Sequence, residues 1–321
     1  MRALIALAAI TAIVGCVAAV PIDRPSDYTA PSKLSSCRVD LPGDWKDELS
    51  RNKIEAGAHE QVTVVGANSD AGTTLVKTTR NRTTELVLHD STKRQQVMAV
   101  QDDGLLFGVE FDGRWATFST APGPDAAATT YAWDSRNDGA PVRIGSEGAV
   151  VHNGKAAFSD SAGVHVHDLA RKKDRVVGQG ADPVFLGDAV MWLQDGRFRG
   201  DAVPDPLKNA EPEAVASDGR TVVWTEGDAL HGWREGWPES RELAEIKREP
   251  KTEGIVFPRV SGDFVSWQSE SSYVTDIRSG ATAHTTEGAY WLEVHGGALT
   301  QRGWRVAASA PLSELSPLPA C

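Results

Sequence analysis

The feature that most constrains this chain is a turn that recurs. Asp112-Gly113, Asn153-Gly154, Gly187-Asp188, Asp218-Gly219 and Gly262-Asp263 each precede a short apolar segment carrying one aromatic ring, respectively Phe118, Phe158, Trp192, Trp224 and Trp267. Asp, Asn and Gly tolerate the positive φ of two-residue hairpin loops, so each pair reads as a hairpin turn leading into a strand. A sixth copy, Gly296-Gly297, lacks the ring. Successive turns start 41, 34, 31, 44 and 34 residues apart. A period near 40 residues is about what one four-stranded sheet consumes, and so small a sheet buries its faces only by stacking on copies of itself. The expectation is an all-β fold, a β-propeller.

The second half of each unit agrees. Val87-Leu88-His89-Asp90, Tyr131-Ala132-Trp133-Asp134, Val164-His165-Val166-His167-Asp168 and Tyr273-Val274-Thr275-Asp276 each end an alternating stretch on Asp. An Asp at this place is expected to hold the turn between third and fourth strands by bonding its own downstream backbone, since burying a bare carboxylate is costly. An earlier unit fits Gln61 to Gly66, Thr73 to Thr79 and Glu85 to Leu88 around the turn-like 69–72, giving seven blades. Six remain if the segment before Val97 packs as a cap. The last copy runs into Pro311, Pro317 and Pro319, so its outer strand is expected from the N-terminal side. A short helix is expected at Pro42 to Leu49, with Asp44 as N-cap and Trp45 and Leu49 on one face.

The first residues read as an export signal. Arg2 precedes an apolar run from Ala3 to Val14 broken by Thr11, too short for a membrane span of roughly 20 residues. Two cleavage readings compete over residues 1–19: Ile13-Val14-Gly15-Cys16 fits a lipoprotein signal with lipid on Cys16, and Val17-Ala18-Ala19 fits ordinary cleavage. Residues 20–36, rich in Pro, Ser and Asp, fit a flexible tether to a propeller domain over 37–321. The other two cysteines, Cys37 and Cys321, stand at the two ends of that domain and are expected to form a disulfide where the ring closes. An extracytoplasmic place follows, lipid-anchored or secreted.

The formal charge of −11 becomes −12 once Arg2 is removed, and the longest basic run is Arg171-Lys172-Lys173. That balance disfavours nucleic acid and anionic lipid, which demand a Lys/Arg-rich face, and leaves a lipid anchor as the one expected membrane link.

Motif chemistry is sparse. The sequence holds no phosphate loop, dinucleotide fingerprint, H-E-x-x-H or G-x-S-x-G, and no cofactor is expected. His165 and His167, two apart on a strand, are a weak metal candidate; packing on the hairpin face is the simpler account. Asp102-Asp103 exemplifies the many paired carboxylates, none with the spacing evidence a glycosidase site needs. Trp233, Arg234 and Trp237 lie in a Gly/Pro-rich stretch and form the binding candidate, against packing on the neighbouring blade. Asn81-Arg82-Thr83 matches a glycosylation sequon by coincidence in a bacterial setting.

Gly262-Asp263-Phe264-Val265-Ser266-Trp267 and Tyr273-Val274-Thr275-Asp276-Ile277-Arg278-Ser279-Gly280 resemble the bacterial exported propellers of the TolB-type and WD-repeat-like class. With Leu41-Pro42-Gly43-Asp44-Trp45, the ring over roughly 38–311 is similar to exported propellers of actinobacteria. The resemblance implies a fold and a compartment but no activity, since this architecture hosts many. The first expectation for function is a non-enzymatic module binding an envelope protein or a glycan. The alternative is an extracytoplasmic carbohydrate-active or lactone-hydrolysing enzyme with carboxylates in the central channel.

Overall fold

The computed structural model describes residues 37–319 except 69–71, 91–93, 103, 138, 147, 246–254, 270, 286–290 and 304–305. Cys16, Cys321 and Asp103 therefore lie outside the described residues, as do the export signal and tether.

The fold is a seven-bladed β-propeller with seven separate sheets. From the channel outward, blade 1 is Glu60–Asn68, Thr73–Arg80, Thr83–His89 and Arg94–Val100. Blades 2, 3 and 5 repeat this meander from inner strands Leu105–Phe111, Ala149–His152 and Ala214–Ser217. Blade 4, from Ala181–Leu186, has three strands among the described residues. A 3-10 turn at Asp205–Leu207 follows it, driving Leu207 into the cluster of Met191, Phe198 and Trp224. Blade 4 owns the shortest turn-to-turn interval, 31 residues.

The ring closes by borrowing. Blade 7 runs Trp291–His295, Ala298–Arg302 and Val306–Pro311, and its outer strand is Lys53–Glu55 from before blade 1. Blade 6, from inner strand Val256–Ser261, gains a fifth strand, Arg38–Asp40, parallel to Thr282–His284. Between these two loans sits the helix Gly43–Arg51, with Trp45 and Leu49 buried. Pro42, not Asp44, holds the N-cap position; Asp44 in the first turn instead accepts the Ser316 backbone N–H at 3.3 Å.

The recurring turn joins inner and second strands in every copy. At Gly113, Gly219 and Gly296 glycine is needed because a Cβ would meet another blade. Gly296 has φ of 47°, and a Cβ on it would come within 2.1 Å of the Ala67 carbonyl oxygen of blade 1. The turn carboxylates also reach sideways: Asp218 accepts the Gly262 backbone N–H at 2.9 Å, from blade 5 to blade 6.

The ring after the turn stands on the second strand and in four blades faces a ring on the third, while in blade 4 Trp192 faces Arg199. Phe118 pairs with Tyr131, Phe158 with His165, Trp224 with His231 and Trp267 with Tyr273, each in direct cross-strand register. All four pairs are stacked, with centroids 5.7, 4.8, 5.5 and 4.1 Å apart. Three residues after the third-strand ring comes the turn Asp in three blades. Its Oδ1 accepts a backbone N–H two or three residues on, in Asp134 to Arg136, Asp168 to Arg171 and Asp276 to Arg278.

Candidate functional site

Seven inner strands run the same way around the axis, so their first residues all lie at one mouth of the central channel and their turns at the other. The channel encloses about 830 Å³, lined by inner strands of blades 2 to 7. Six large apolar side chains remain exposed in the described residues, and four of them are at that first mouth: Leu105 and Phe107 in blade 2, Phe257 in blade 6, Trp291 in blade 7. The most exposed is Phe257, at 65%. The mouth therefore concentrates the surface that water disfavours most.

The backbone of this rim is irregular in a patterned way. Inner strands of blades 2, 4 and 6 carry bulges at 107–110, 181–184 and 256–259. The residue in left-handed conformation is Gly108, Asp182 and Phe257, with φ of 58°, 49° and 53°. Glycine does this freely; a Phe does so at a cost of roughly 1–3 kcal/mol, the kind of strain that persists where a side chain must be aimed. Here it leaves Phe257 projecting into solvent.

Below the rim the channel is charged. Arg259 of blade 6 donates across the channel to Glu110 of blade 2 at 2.9 Å, and its Nε lies 3.9 Å from Glu293 of blade 7. Glu293 further meets His295 Nε2 at 2.9 Å and accepts from Gln268 Nε2 at 3.2 Å. Burial alone would raise the Glu293 pKa; the His295 hydrogen bond and the charges of His295, Arg259 and Arg302 outweigh it and hold it at about 2. Such a carboxylate stays ionised at neutral pH and has no proton to donate as a general acid. On the second strand of blade 1, Lys77 turns toward blade 2, its Nζ 3.5 Å from the Leu106 carbonyl oxygen. Burial, reinforced by the Arg302 charge, lowers its pKa against the pull of Glu293. Arg302 lies over the Trp291 ring at 4.1 Å, its direct cross-strand partner.

The residues singled out from sequence lie elsewhere. Trp233 and Arg234 belong to a third strand, Ala229–Arg234, not to a loop, and Trp233 is buried with its Nε1 donating to the Trp237 carbonyl at 3.0 Å. Arg234 donates to Thr221 Oγ1 at 2.9 Å and pairs with Asp263 of blade 6 at 2.5 Å, and Trp237 is covered by Arg241 at 4.0 Å. Arg234 joins blades 5 and 6, Trp233 packs in the cluster that blade 5 shares with blade 4, and Trp237 packs against the clusters on both sides.

His165 fills the third-strand ring position that Tyr131 and Tyr273 fill in other blades, and both its nitrogens meet carboxylates, Asp174 at 2.7 Å and Asp160 at 3.0 Å. His167 stands 3.8 Å from the same Asp174. Among the described residues no group of three or more His, Cys, Asp or Glu side chains converges as a metal site. Asp102 is an exposed residue at φ of 55° before the rim.

Burial opposes charging His165, but Asp174 and Asp160 outweigh it and raise its pKa. A raised histidine stabilises the fold fully below its unfolded value of about 6.5, and the contribution is lost as pH rises through the folded value. His165→Phe keeps the stack on Phe158 and removes the charge. The stability deficit of this variant, measured by urea denaturation, is expected to be larger at about pH 5.5 than at about pH 8.5; an equal deficit at both would show that the ion pairs contribute nothing.

The sequence did carry a sign of the rim. Phe107, Phe257 and Trp291 each stand five residues before the first residue of the recurring turn, at Asp112, Gly262 and Gly296. Reading the repeat only downstream of its turn passed over them.

The sequence matches no family model and no curated protein. Solved structures do match. PorZ of Porphyromonas gingivalis, described as an essential surface component of the type-IX secretion system, superposes with a TM-score of 0.54 at 12% identity over 84% of this chain and 39% of its own. The extracellular domain of BT4673 from B. thetaiotaomicron gives 0.48 at 10% identity, over 81% and 39%. A chain of the mitotic checkpoint complex gives 0.49 at 12% identity, over 85% and 98%. This chain thus spans about two fifths of PorZ and of the BT4673 domain, and likeness at such identity extends to the fold alone.

Proposed function

We propose that this protein is a non-enzymatic binding propeller of the cell envelope that docks a partner polypeptide on the channel mouth where the inner strands begin. The observation that carries the reading is the gathering of Leu105, Phe107, Phe257 and Trp291 on that one mouth, with Phe257 held in a costly conformation that exposes it. PorZ, a surface component in its own organism, supports the compartment. The enzyme alternative loses ground because Glu110 and Glu293 are both engaged by Arg259, and Asp112 and Asp218, which line the channel, hold turn backbone N–H groups.

Export, lipid on Cys16 and a Cys37 to Cys321 disulfide complete the proposal, as does kinship with the TolB-type exported propellers of actinobacteria. In support of the disulfide, Cys37 and Leu318, three residues before Cys321, pack in one cluster with Trp45. Intact-mass measurement of the mature protein, with and without reduction, tests both modifications.

The docking test uses a photo-crosslinking amino acid at 257 or 291, with 142 and 176 as controls, since Val142 and Val176 are equally exposed but sit on outer strands. The expected result in native envelopes is one discrete protein adduct shared by 257 and 291 and missing from the controls. Adducts of equal yield at all four positions, or none at the mouth, would sink the reading.

A further inference from the structure

The wall of the channel is acidic. Among the residues lining it, Glu110, Asp112, Glu213 and Asp218 carry carboxylates and Arg259 alone carries a positive charge that does not titrate away. Three of the four carboxylates are engaged: Glu110 by Arg259 at 2.9 Å, Asp112 by the Arg114 and Trp115 backbone N–H groups, and Asp218 by those of Thr221 and Gly262. Among the described residues the Glu213 carboxylate has no such partner, although the chain around it is pinned. Its backbone N–H donates to the Thr225 carbonyl at 2.8 Å, and Glu211 beside it is held by Arg197 at 2.6 Å and by the Glu226 carboxylate at 3.2 Å. Glu213 is exposed, stands one residue before the inner strand of blade 5, and lines the same wall as Phe257 and Pro258 of blade 6.

The backbone aims a second carboxylate at this mouth. In blade 6 Val256 pairs with Gln268 and Arg259 with Ser266, which leaves Phe257-Pro258 looped out of the ladder. In blade 4 Ala181 pairs with Leu193 and Val184 with Met191, which leaves Asp182-Pro183. Asp182 therefore holds in blade 4 the place that Phe257 holds in blade 6, with the same left-handed φ, the same following proline and the same spacing to the turn glycine, Gly187 or Gly262. It is exposed, and among the described residues its carboxylate has no partner either. Blades 4 and 5 thus give the mouth an acidic sector, and blades 2, 6 and 7 give it the apolar one, with Arg302 covering Trp291 on the far side.

Resting on the docking reading above, we propose that the docked polypeptide is basic where it meets the mouth: an arginine or lysine side chain enters beside Glu213 and Asp182 while apolar side chains flanking it cover Phe257, Phe107 and Trp291. Charge complementarity decides the sign. A cation satisfies the carboxylate that the channel wall leaves unengaged, and a cleft lined mainly by one sign of charge draws the opposite sign in. An acidic group would meet four carboxylates and find the lining guanidinium already held by Glu110 and Glu293. The exposed rim decides the class, because it asks for apolar groups next to the cation, which a polypeptide carries and a polyamine does not.

The test is a calorimetric titration of the intact protein with three amidated probes: Ac-Leu-Phe-Arg-Phe-NH2, the same peptide with neutral citrulline in place of arginine, and the same peptide with glutamate there. The arginine probe is expected to bind at least about fivefold more tightly than the citrulline probe at low salt, with a preference that fades as salt rises, and the glutamate probe more weakly than either. Glu213→Gln should remove most of the preference and Asp182→Asn the rest; asparagine tolerates the left-handed conformation, so an unchanged thermal midpoint is expected for both. Phe257→Ala should weaken the arginine and citrulline probes alike.

Equal affinity for arginine and citrulline probes, a preference for glutamate, or no binding of any probe while crosslinks at 257 persist would overturn the basic partner and leave docking standing. A preference that survives loss of both carboxylates would overturn their assignment. Loss of the crosslinks themselves would remove the docking reading beneath it. Tighter binding of spermidine than of any peptide would overturn the polypeptide source.

Discussion

Replacing Trp45 by alanine is expected to lower the free energy of unfolding by about 3–5 kcal/mol, the range for deleting a large ring from a closed core. Trp45 is fully buried, meets Phe264 of blade 6 edge-on with centroids 5.4 Å apart, and donates its Nε1 to the Ser316 carbonyl at 3.0 Å. It thereby ties the helix, the sixth blade and the C-terminal segment at the seam where the ring closes. Leu41, Leu49, Leu315 and Leu318 complete the same cluster, so the hole left by alanine has little freedom to collapse. Trp45→Phe should retain most of the packing and lose about 1 kcal/mol with the hydrogen bond. Guanidinium denaturation measures both. A midpoint for Trp45→Ala within error of the parent would mean that the N-terminal segment is not part of the cooperative unit.

The second large effect is expected at Asp276, where substitution by alanine should cost about 1.5–3 kcal/mol, because it strips a backbone N–H and a half-exposed guanidinium of their acceptor. This carboxylate is fully buried, accepts the Arg278 backbone N–H at 2.9 Å, and receives the Arg278 guanidinium at 3.0 and 2.9 Å. Arg278 continues to Asp263 at 3.2 Å, which in turn holds Arg234 of blade 5. Asp276→Asn keeps the backbone turn and removes the charge, so it separates the two roles. A loss for asparagine close to that for alanine means that the arginine pair dominates, whereas near-parental stability means that the turn bond is the main contribution. Asp134 repeats the arrangement in blade 2, with Arg114 at 3.1 and 2.8 Å, and offers an internal control.

Asp276 also shows how far the sequence could be read. The expectation of a backbone-bonding turn was met at Asp134, Asp168 and Asp276. The arginine partners were not foreseen: Arg278 stands two residues after Asp276, whereas Arg114 stands 20 residues before Asp134, next to Trp115, which pairs with Asp134 across the strands. His165 was legible in principle: its ring stands three residues before the turn Asp, as Tyr131 and Tyr273 do, so the repeat itself argues for packing. Trp233 was read in a loop because Gly232 and Gly236 suggest one, while in the structure Gly232 takes its place in a strand where a Cβ would meet Leu243 at 2.7 Å, and Trp233 packs as the alternative reading had it. A short strand with a close neighbour and a loop share the same small residue for different reasons.

Local chemistry determined the class and narrowed the count. Turns that demand positive φ, strands of alternating burial and a period near 40 residues are properties of contiguous residues, so an all-β ring of seven or six blades, and the need for an N-terminal strand to finish it, could be read from the chain alone, and the seven sheets of the structure decided the number. Tertiary structure decided everything that depends on bringing distant blades to one axis. Glu110 and Arg259 are 149 residues apart, and no period in the sequence announces that they meet across the channel. The mouth likewise exists only because closure of the ring carries Phe107, Phe257 and Trp291 to the same side. Charge and exposure are sums over space, and a sequence orders its residues along a line.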